Sequence, residues 1–216
     1  MKMLESSPSR YDRGIAILTL GKINKIYDRL IENIEENDHV LDIGCGTGML
    51  SIRAVLKEAT VVGIDINPQM LEIARKRAEE KECQSNLELL EMGVAELDKF
   101  ENSSFDKILS GLCLSELSED ELNFTLKESK RILKTKGLFI LGDENRPQSI
   151  LKRMINFLLR TPLVIITYIL TQTSTSALKD IELKLQLSGY EMISVRKNFL
   201  GNFIEIVAKN AKEDEL

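Results

Sequence analysis

The sequence predicts an α/β fold built on one seven-stranded, mostly parallel sheet with helices on both faces. Short apolar runs that suit buried strands alternate with longer stretches of helical periodicity. The helical stretches carry their own start and stop signals, so each is an element in its own right. Strands linked in this way need right-handed crossovers, and those place the helices on the two faces of a parallel sheet.

Two amphipathic stretches, about Tyr11 to Leu20 and Lys22 to Ile34, come before the first strand, Val40 to Ile43. Further strands follow at Thr60 to Ile64, Leu87 to Met92, Phe105 to Leu109 and Gly137 to Leu141. Between them, Asn67-Pro68 joins an N-cap to a proline at the first helical position, and Ser118-x-x-Glu121 is a capping box for a helix ending near Ile132. Ile181, Leu183, Leu185 and Leu187 lead to Gly189, a fitting helix C-terminal glycine, and the strands Tyr190 to Lys197 and Phe203 to Ala208 close the pattern. The expected organisation is a single domain over 1–216. Its parts are N-terminal helices (1–37), a ligand-binding core (38–144), a helical cap inserted after the fifth strand (145–176), and a final helix with two strands (177–210).

The composition agrees with one compact domain: 216 residues, 43% apolar, 29% charged, with no low-complexity tract. A net charge of −5 opposes binding nucleic acid by counterion release, so no nucleic-acid partner is expected. Cys45, Cys83 and Cys113 are odd in number and lack a Cys-x-x-Cys spacing, which predicts neither a disulfide framework nor a metal site and suits a reducing cytoplasm. Met1 to Glu5 contains no apolar signal core. Thr161 to Thr171, the longest charge-free apolar stretch, falls well short of the roughly 20 residues that span a bilayer. Residues 145 to 179 carry five basic side chains and no acidic one, against 24 basic and 34 acidic elsewhere.

Val40-Leu41-Asp42-Ile43-Gly44-Cys45-Gly46-Thr47-Gly48 reads as strand, glycine turn and helix start, a turn that lets a ligand approach the backbone closely. Asp65 ends the next strand and suits a ribose diol, whose two hydroxyls a carboxylate can accept. On the shoulder of the turn, Asp42 would repel a pyrophosphate and suit a ligand bearing ammonium and sulfonium charges. The spacing is Gly-x-Gly-x-Gly, not the Gly-x-Gly-x-x-Gly of dinucleotide sites. S-adenosyl-L-methionine fits this pattern and NAD does not.

On these residues the chain resembles the Rossmann-like class I S-adenosylmethionine-dependent methyltransferases (methyltransferase type 11), the broad group that includes ubiquinone/menaquinone C-methyltransferases. Asp42 to Gly48 matches the first motif, which cradles the methionine moiety. Gly63-Ile64-Asp65-Ile66-Asn67-Pro68-Gln69-Met70-Leu71 matches the second, Phe105 to Leu117 the fourth strand and its loop, and Arg131 to Gly137 the turn into the fifth. The resemblance implies a cofactor site of Tyr11, Asp42, Gly44, Cys45, Gly46, Gly48, Asp65, Ile66, Met70, Gly93, Val94, Ala95 and Ser110, with Ile66 against adenine. Two departures stand out. Gly93-Val94-Ala95-Glu96 replaces the usual Gly-Asp-Ala, which leaves adenine to backbone groups or Glu96. Ser115-Glu116 stands where many relatives carry His. Leu4 to Gly14, Met92 to Asp98 and Ser110 to Leu117 further resemble the corrinoid-protein-associated methyltransferases, which implies a corrinoid protein as partner.

The candidates near the acceptor are Cys113, Glu116, Asp143 and Glu144, and each has a plainer reading. Cys113 is either a reactive thiol or packing, and Glu116 either a base or a partner of the following helix dipole. Asp143 and Glu144 end the fifth strand and point toward the crevice. Tyr11 covers the methionine end or belongs to the core, and His39, at the opposite end of the first strand, is expected to be structural. The expected function is methyl transfer by in-line displacement to a small or lipid-like acceptor or to a partner protein, and the alternative is a non-catalytic cofactor-binding regulator or chaperone. In the stretch 148–172, Ile150, Leu151, Met154, Ile155, Leu158 and Leu159 share a helical face flanked by Lys152, Arg153 and Arg160. This predicts either peripheral membrane contact or simple packing with a solvated basic face.

Overall fold

The structure, a computed structural model, describes residues 12, 15, 16, 19, 21–147, 149, 150, 154 and 177–211. Its elements in chain order are α1 (Ile23–Leu30), β1 (His39–Ile43), α2 (Met49–Val55), β2 (Thr60–Asp65), α3 (Pro68–Glu80), β3 (Leu87–Glu91), β4 (Phe105–Gly111), α4 (Glu119–Ile132), β5 (Leu133–Glu144), α5 (Ile181–Leu187), β6 (Tyr190–Lys197) and β7 (Phe203–Asn210). Tyr11 and most of the expected cap lie outside the described residues. The strands form one seven-stranded sheet in the order β3-β2-β1-β4-β5-β7-β6, parallel from β3 to β5, with β7 running antiparallel to both its neighbours.

The sheet is buried on both faces because its central strands are apolar on both. Leu41, Ile43, Ile64, Ile108, Phe139 and Leu141 pack with Leu122 and Leu126 of α4 and with Ile181 and Leu185 of α5. Val40, Val61, Leu109 and Ile140 pack on the other face with Ile26 and Leu30 of α1 and Leu50 and Ile52 of α2. A bidentate ion pair from Arg29 to Glu205 of β7 fastens α1 to that second face, with the Nε to Oε2 distance at 2.7 Å.

The helix starts follow the sequence signals. Asn67 Oδ1 accepts from the N–H groups of Gln69 and Met70, and Ser118 exchanges hydrogen bonds with Glu121. Gly189 stops α5 at φ +81. Three elements differ from expectation. The helix expected over Lys22 to Ile34 is confined to α1. β5 starts at Leu133, directly after α4, and reaches Glu144. On α5, Ile181 and Leu185 are buried while Leu183 and Leu187 are exposed, because a helix buries residues four apart and not two. The outer strand β6 carries a bulge between Met192 and Ser194 and exposes Arg196 and Lys197, features that discourage pairing along a free edge. No described helix is long and apolar enough to cross a membrane.

Candidate functional site

The chain runs β1, β2, β3 toward one side of the sheet and then β4, β5 toward the other, which leaves a crevice beyond the C-terminal ends of β1 and β4. The register brings the expected residues to that edge: Ile43 lies beside Ile64 and Ser110, Asp65 beside Glu91, and Gly111 beside Gly142. A narrow cleft opens there, with Asp12, Tyr27, Asp42, Gly46, Thr47 and Met49 on its walls.

The glycine turn has the backbone that its sequence demands. Gly44 sits at φ +69, where a Cβ would also overlap the Cys113 thiol, and Gly46 at φ +52 has only Asp65 Oδ2 at 4.0 Å from where a Cβ would stand. The open space beside Gly46 is what a ligand lying along the turn requires. Asp65 holds the turn from β2: its Oδ2 accepts from Gly46 N–H and its Oδ1 from Asn67 N–H, each at 2.8 Å. Each oxygen keeps a second lone pair, so a diol can bind without displacing either contact.

Asp42 is 1% exposed. Its Oδ2 accepts from Ser51 Oγ at 2.5 Å, whereas Oδ1 is buried with no hydrogen-bond partner among the described residues. Burial pushes its carboxyl up to about 6, against the opposing Ser51 hydrogen bonds and with a further push from Asp65. Asp65 itself is raised by burial. Across the crevice, Asp143 Oδ2 accepts from Ser115 N–H and Oδ1 from Glu144 N–H, which ties the turn after β4 to the end of β5. Burial raises Asp143 to about 6. Glu116 reaches solvent at the rim, yet loss of water around its carboxyl, then Asp143, Asp65 and Glu144, raise it to about 7. Besides burial, the charges that raise these groups are carboxylates: Asp65 acts on Asp42, Glu144 on Asp143, and Asp143, Asp65 and Glu144 on Glu116.

The remaining candidates sort by position. Ile66 is 44% exposed beside Gly93, with its Cγ2 3.1 Å from where a Gly93 Cβ would stand, and Met70 is buried on α3. Val94 is half-buried against the core under α4, and Ala95 is exposed. Ser110 Oγ is buried without a hydrogen-bond partner among the described residues. Burial pushes both the Cys45 and Cys113 thiols well up, with neighbouring carboxylates adding to it, so both stay protonated and suit packing. Glu96 caps its own turn, accepting from Gly93 N–H at 3.1 Å and pairing with Lys99, which occupies the carboxylate that the sequence offered to adenine. His39 stacks on Phe105 and hydrogen-bonds Ser104 O at the far end of the sheet.

Sequence reasoning missed Tyr27, Asp12 and Ser51. Tyr27 reaches the cleft from α1, under the guanidinium of Arg53 at 5.5 Å, and its phenol is pushed up by burial and then by Asp42 and Asp12. One aromatic on an amphipathic helix gives no sign of that. Ser51 could have been found, since it lies three residues after Gly48 in the first turn of the helix that follows the glycines.

The family described as a methyltransferase domain matches residues 34–185. The chain is 28% identical to the demethylmenaquinone methyltransferase of Leptospira interrogans over 252 aligned positions that cover 99% of each protein. It is also 28% identical to that of Symbiobacterium thermophilum over 153 residues, 68% of this chain and 60% of the relative. Among solved structures, an S-adenosylmethionine-dependent methyltransferase from Methanosarcina mazei shares the fold at TM-score 0.67 and 24% identity, over 85% of this chain and 98% of that one. The residues present fit such a cofactor: Asp42 Oδ1 is a buried acceptor with no partner among the described residues, the space beside Gly46 is open, and a cationic ligand would offset the buried charge of Asp42.

Proposed function

The chain belongs to the methyltransferase-domain family and is an S-adenosyl-L-methionine-dependent methyltransferase, and on that premise we propose that it methylates a small, lipid-like acceptor in the crevice beyond β4 and β5. The observation that carries the site assignment is the buried Oδ1 of Asp42, which has no hydrogen-bond partner among the described residues. That oxygen takes the cofactor's ammonium, while Asp65 takes the ribose hydroxyls. Ile66, Met70, Gly93, Val94 and Ala95 surround adenine, which Val94 cannot read by a side-chain acceptor.

When bound, the cofactor supplies a methyl group on a sulfonium, electrophilic enough that transfer needs mainly alignment and exclusion of water. The chain's part is therefore to position the acceptor against the ends of β4 and β5 and to receive the proton that a hydroxyl, amine or activated carbon gives up. Glu116 does the second: with its carboxyl raised to about 7, it is poised to take a proton near neutral pH. Asp143, held by the Ser115 and Glu144 N–H groups, fixes the turn that carries Glu116.

The lipid-like acceptor is supported by the demethylmenaquinone methyltransferase relatives and by the basic, apolar stretch 148–172. A corrinoid protein as acceptor partner, the second reading, is supported by the three segments that resemble the corrinoid-associated group. One assay separates them. The protein is incubated with methyl-labelled cofactor and either a demethylated quinol in anionic or neutral vesicles or a reduced corrinoid protein, beside a Lys152/Arg153/Arg160 charge-removal variant. Label in the organic phase, with more vesicle co-sedimentation on anionic lipid for the unaltered chain than for the variant, is the expected result. Label only on the corrinoid protein transfers the function to the second reading, and equal binding of both chains to both lipids removes membrane contact.

A further inference from the structure

The glycine turn is fastened from outside itself by a contact set that cofactor binding alone does not explain. Thr47 stands between Gly46 and Gly48, both at positive φ, and is 3% exposed. Its Oγ1 donates to Asp12 Oδ1 at 2.9 Å, and its carbonyl accepts from Arg77 Nη1 at 3.3 Å. Arg77 Nη2 in turn donates to Asp12 Oδ2, closing a ring of three residues that are far apart in the chain. One turn earlier on α3, Ala74 Cβ lies 3.0 Å from where a Cβ on Gly48 would stand, so α3 presses on the turn as well as bonding to it.

From this ring we infer that Arg77 and Asp12 are positioning residues that set the glycine turn in its cofactor-ready conformation before the cofactor arrives; the inference rests on the cofactor reading of this cleft. Two glycines give the turn its shape and leave it many other shapes, since glycine is free over both halves of φ. Holding the hydroxyl and the carbonyl of Thr47 restricts that freedom in advance, and a ligand that meets a prearranged site loses less in ordering it. Asp12 does this from the wall of the cleft and Arg77 from behind it. Arg77 is not among the described residues that line the cleft, so its replacement tests positioning apart from direct contact and leaves Asp42 and Asp65 unaltered.

The test follows binding of S-adenosylhomocysteine to the full chain by stopped-flow fluorescence and follows backbone amide exchange in the unliganded protein. Arg77→Met and Asp12→Asn should each weaken S-adenosylhomocysteine binding by about ten-fold, mainly through slower apparent association, because a smaller fraction of the unliganded chain holds the turn ready. The double variant should be no worse than either single one, because the ring is already open. Arg77→Lys should recover part of the loss. The Gly46 and Gly48 amides should exchange faster in the variants while those of β1 and β2 do not. Should Arg77→Met fail to fold, Thr47→Val, which removes only the hydroxyl, carries the same expectations. Additive effects, or unchanged exchange at the turn, overturn the positioning role while the cofactor reading stands. Failure of the unaltered protein to bind S-adenosylhomocysteine overturns the cofactor reading, and the inference falls with it.

Discussion

Replacing Asp42 by Asn should move stability and cofactor binding in opposite directions. In the folded chain the Asp42 carboxyl is raised from 3.8 to about 6, so keeping it ionised in the unliganded protein costs about 3 kcal/mol. Asn removes that charge and can still accept from Ser51 with its carbonyl oxygen. Its amide N–H groups, however, are then buried without an acceptor, which returns about 1 kcal/mol. The net gain is about 2 kcal/mol, or roughly 4 to 8 °C in melting temperature for a chain of this length. The gain has a pH signature. An acid whose pKa is higher folded than unfolded loses stability as pH rises from the unfolded value through the folded one. The advantage of Asn is therefore full above pH 7 and fades as pH falls through about 6 toward 4, where the native Asp42 is protonated in the fold. Binding goes the other way: loss of the ammonium contact should weaken cofactor affinity by about 1.5 to 3 kcal/mol, roughly ten- to a hundred-fold. Thermal melts across pH 4.5 to 8 and calorimetric titration test both halves. An unchanged melting temperature at pH 7.5, or an unchanged affinity, refutes the reasoning.

Asp65→Ala should weaken cofactor binding by about 1.5 to 3 kcal/mol, because the ribose acceptors go and the Gly46 and Asn67 N–H groups lose their partner; unchanged affinity by calorimetry excludes the ribose role. Val94→Asp places an acceptor where adenine's exocyclic amine is expected, and S-adenosylmethionine affinity should hold or improve even though the half-buried position lowers the melting temperature slightly; a large affinity loss means adenine lies elsewhere. Glu116→Gln should lower turnover and remove the fall in rate below about pH 7 that protonation of Glu116 imposes on the native enzyme, in surroundings set by Asp143, Asp65 and Glu144; an acidic limb that persists in the variant assigns the proton to another group.

What was legible in the chain was what local chemistry encodes. Apolar runs at Val40 to Ile43 and Thr60 to Ile64, the Asn67 cap and the Ser118–Glu121 box each specify an element without help from distant residues, and their positions hold. The glycine turn was legible because a backbone held at positive φ admits few residues, and Asp65 because a carboxylate ends the next strand. Contacts across the fold were not. Asp12 and Thr47 are 35 positions apart and Arg77 a further 30, and nothing in their spacing says that they meet. Glu96 shows the opposite failure, because the sequence offered its carboxylate to adenine and its own turn claims it three residues away. The length of β5 was hidden by Lys136-Gly137, which reads as a turn and is instead a kink inside the strand, with Lys136 at φ +63.

The crevice buries carboxylates, and their loss of hydration, with a smaller push from neighbouring charges, destabilises the unliganded fold. Asp42, Asp143 and Glu116 all have raised values, so each adds stability only while protonated and loses it on ionising. A cation delivered into the crevice reverses the sign, since it favours the ionised forms and couples binding to proton release below about pH 7. Cofactor affinity should therefore strengthen with rising pH through the same window in which the unliganded chain weakens. On the proposed assignment the same electrostatics separate cofactor from product, since after transfer the sulfur is neutral and only the ammonium would face Asp42. S-adenosylmethionine should therefore bind more tightly than S-adenosylhomocysteine above pH 7, and equal affinities by calorimetry exclude this role for the carboxylates.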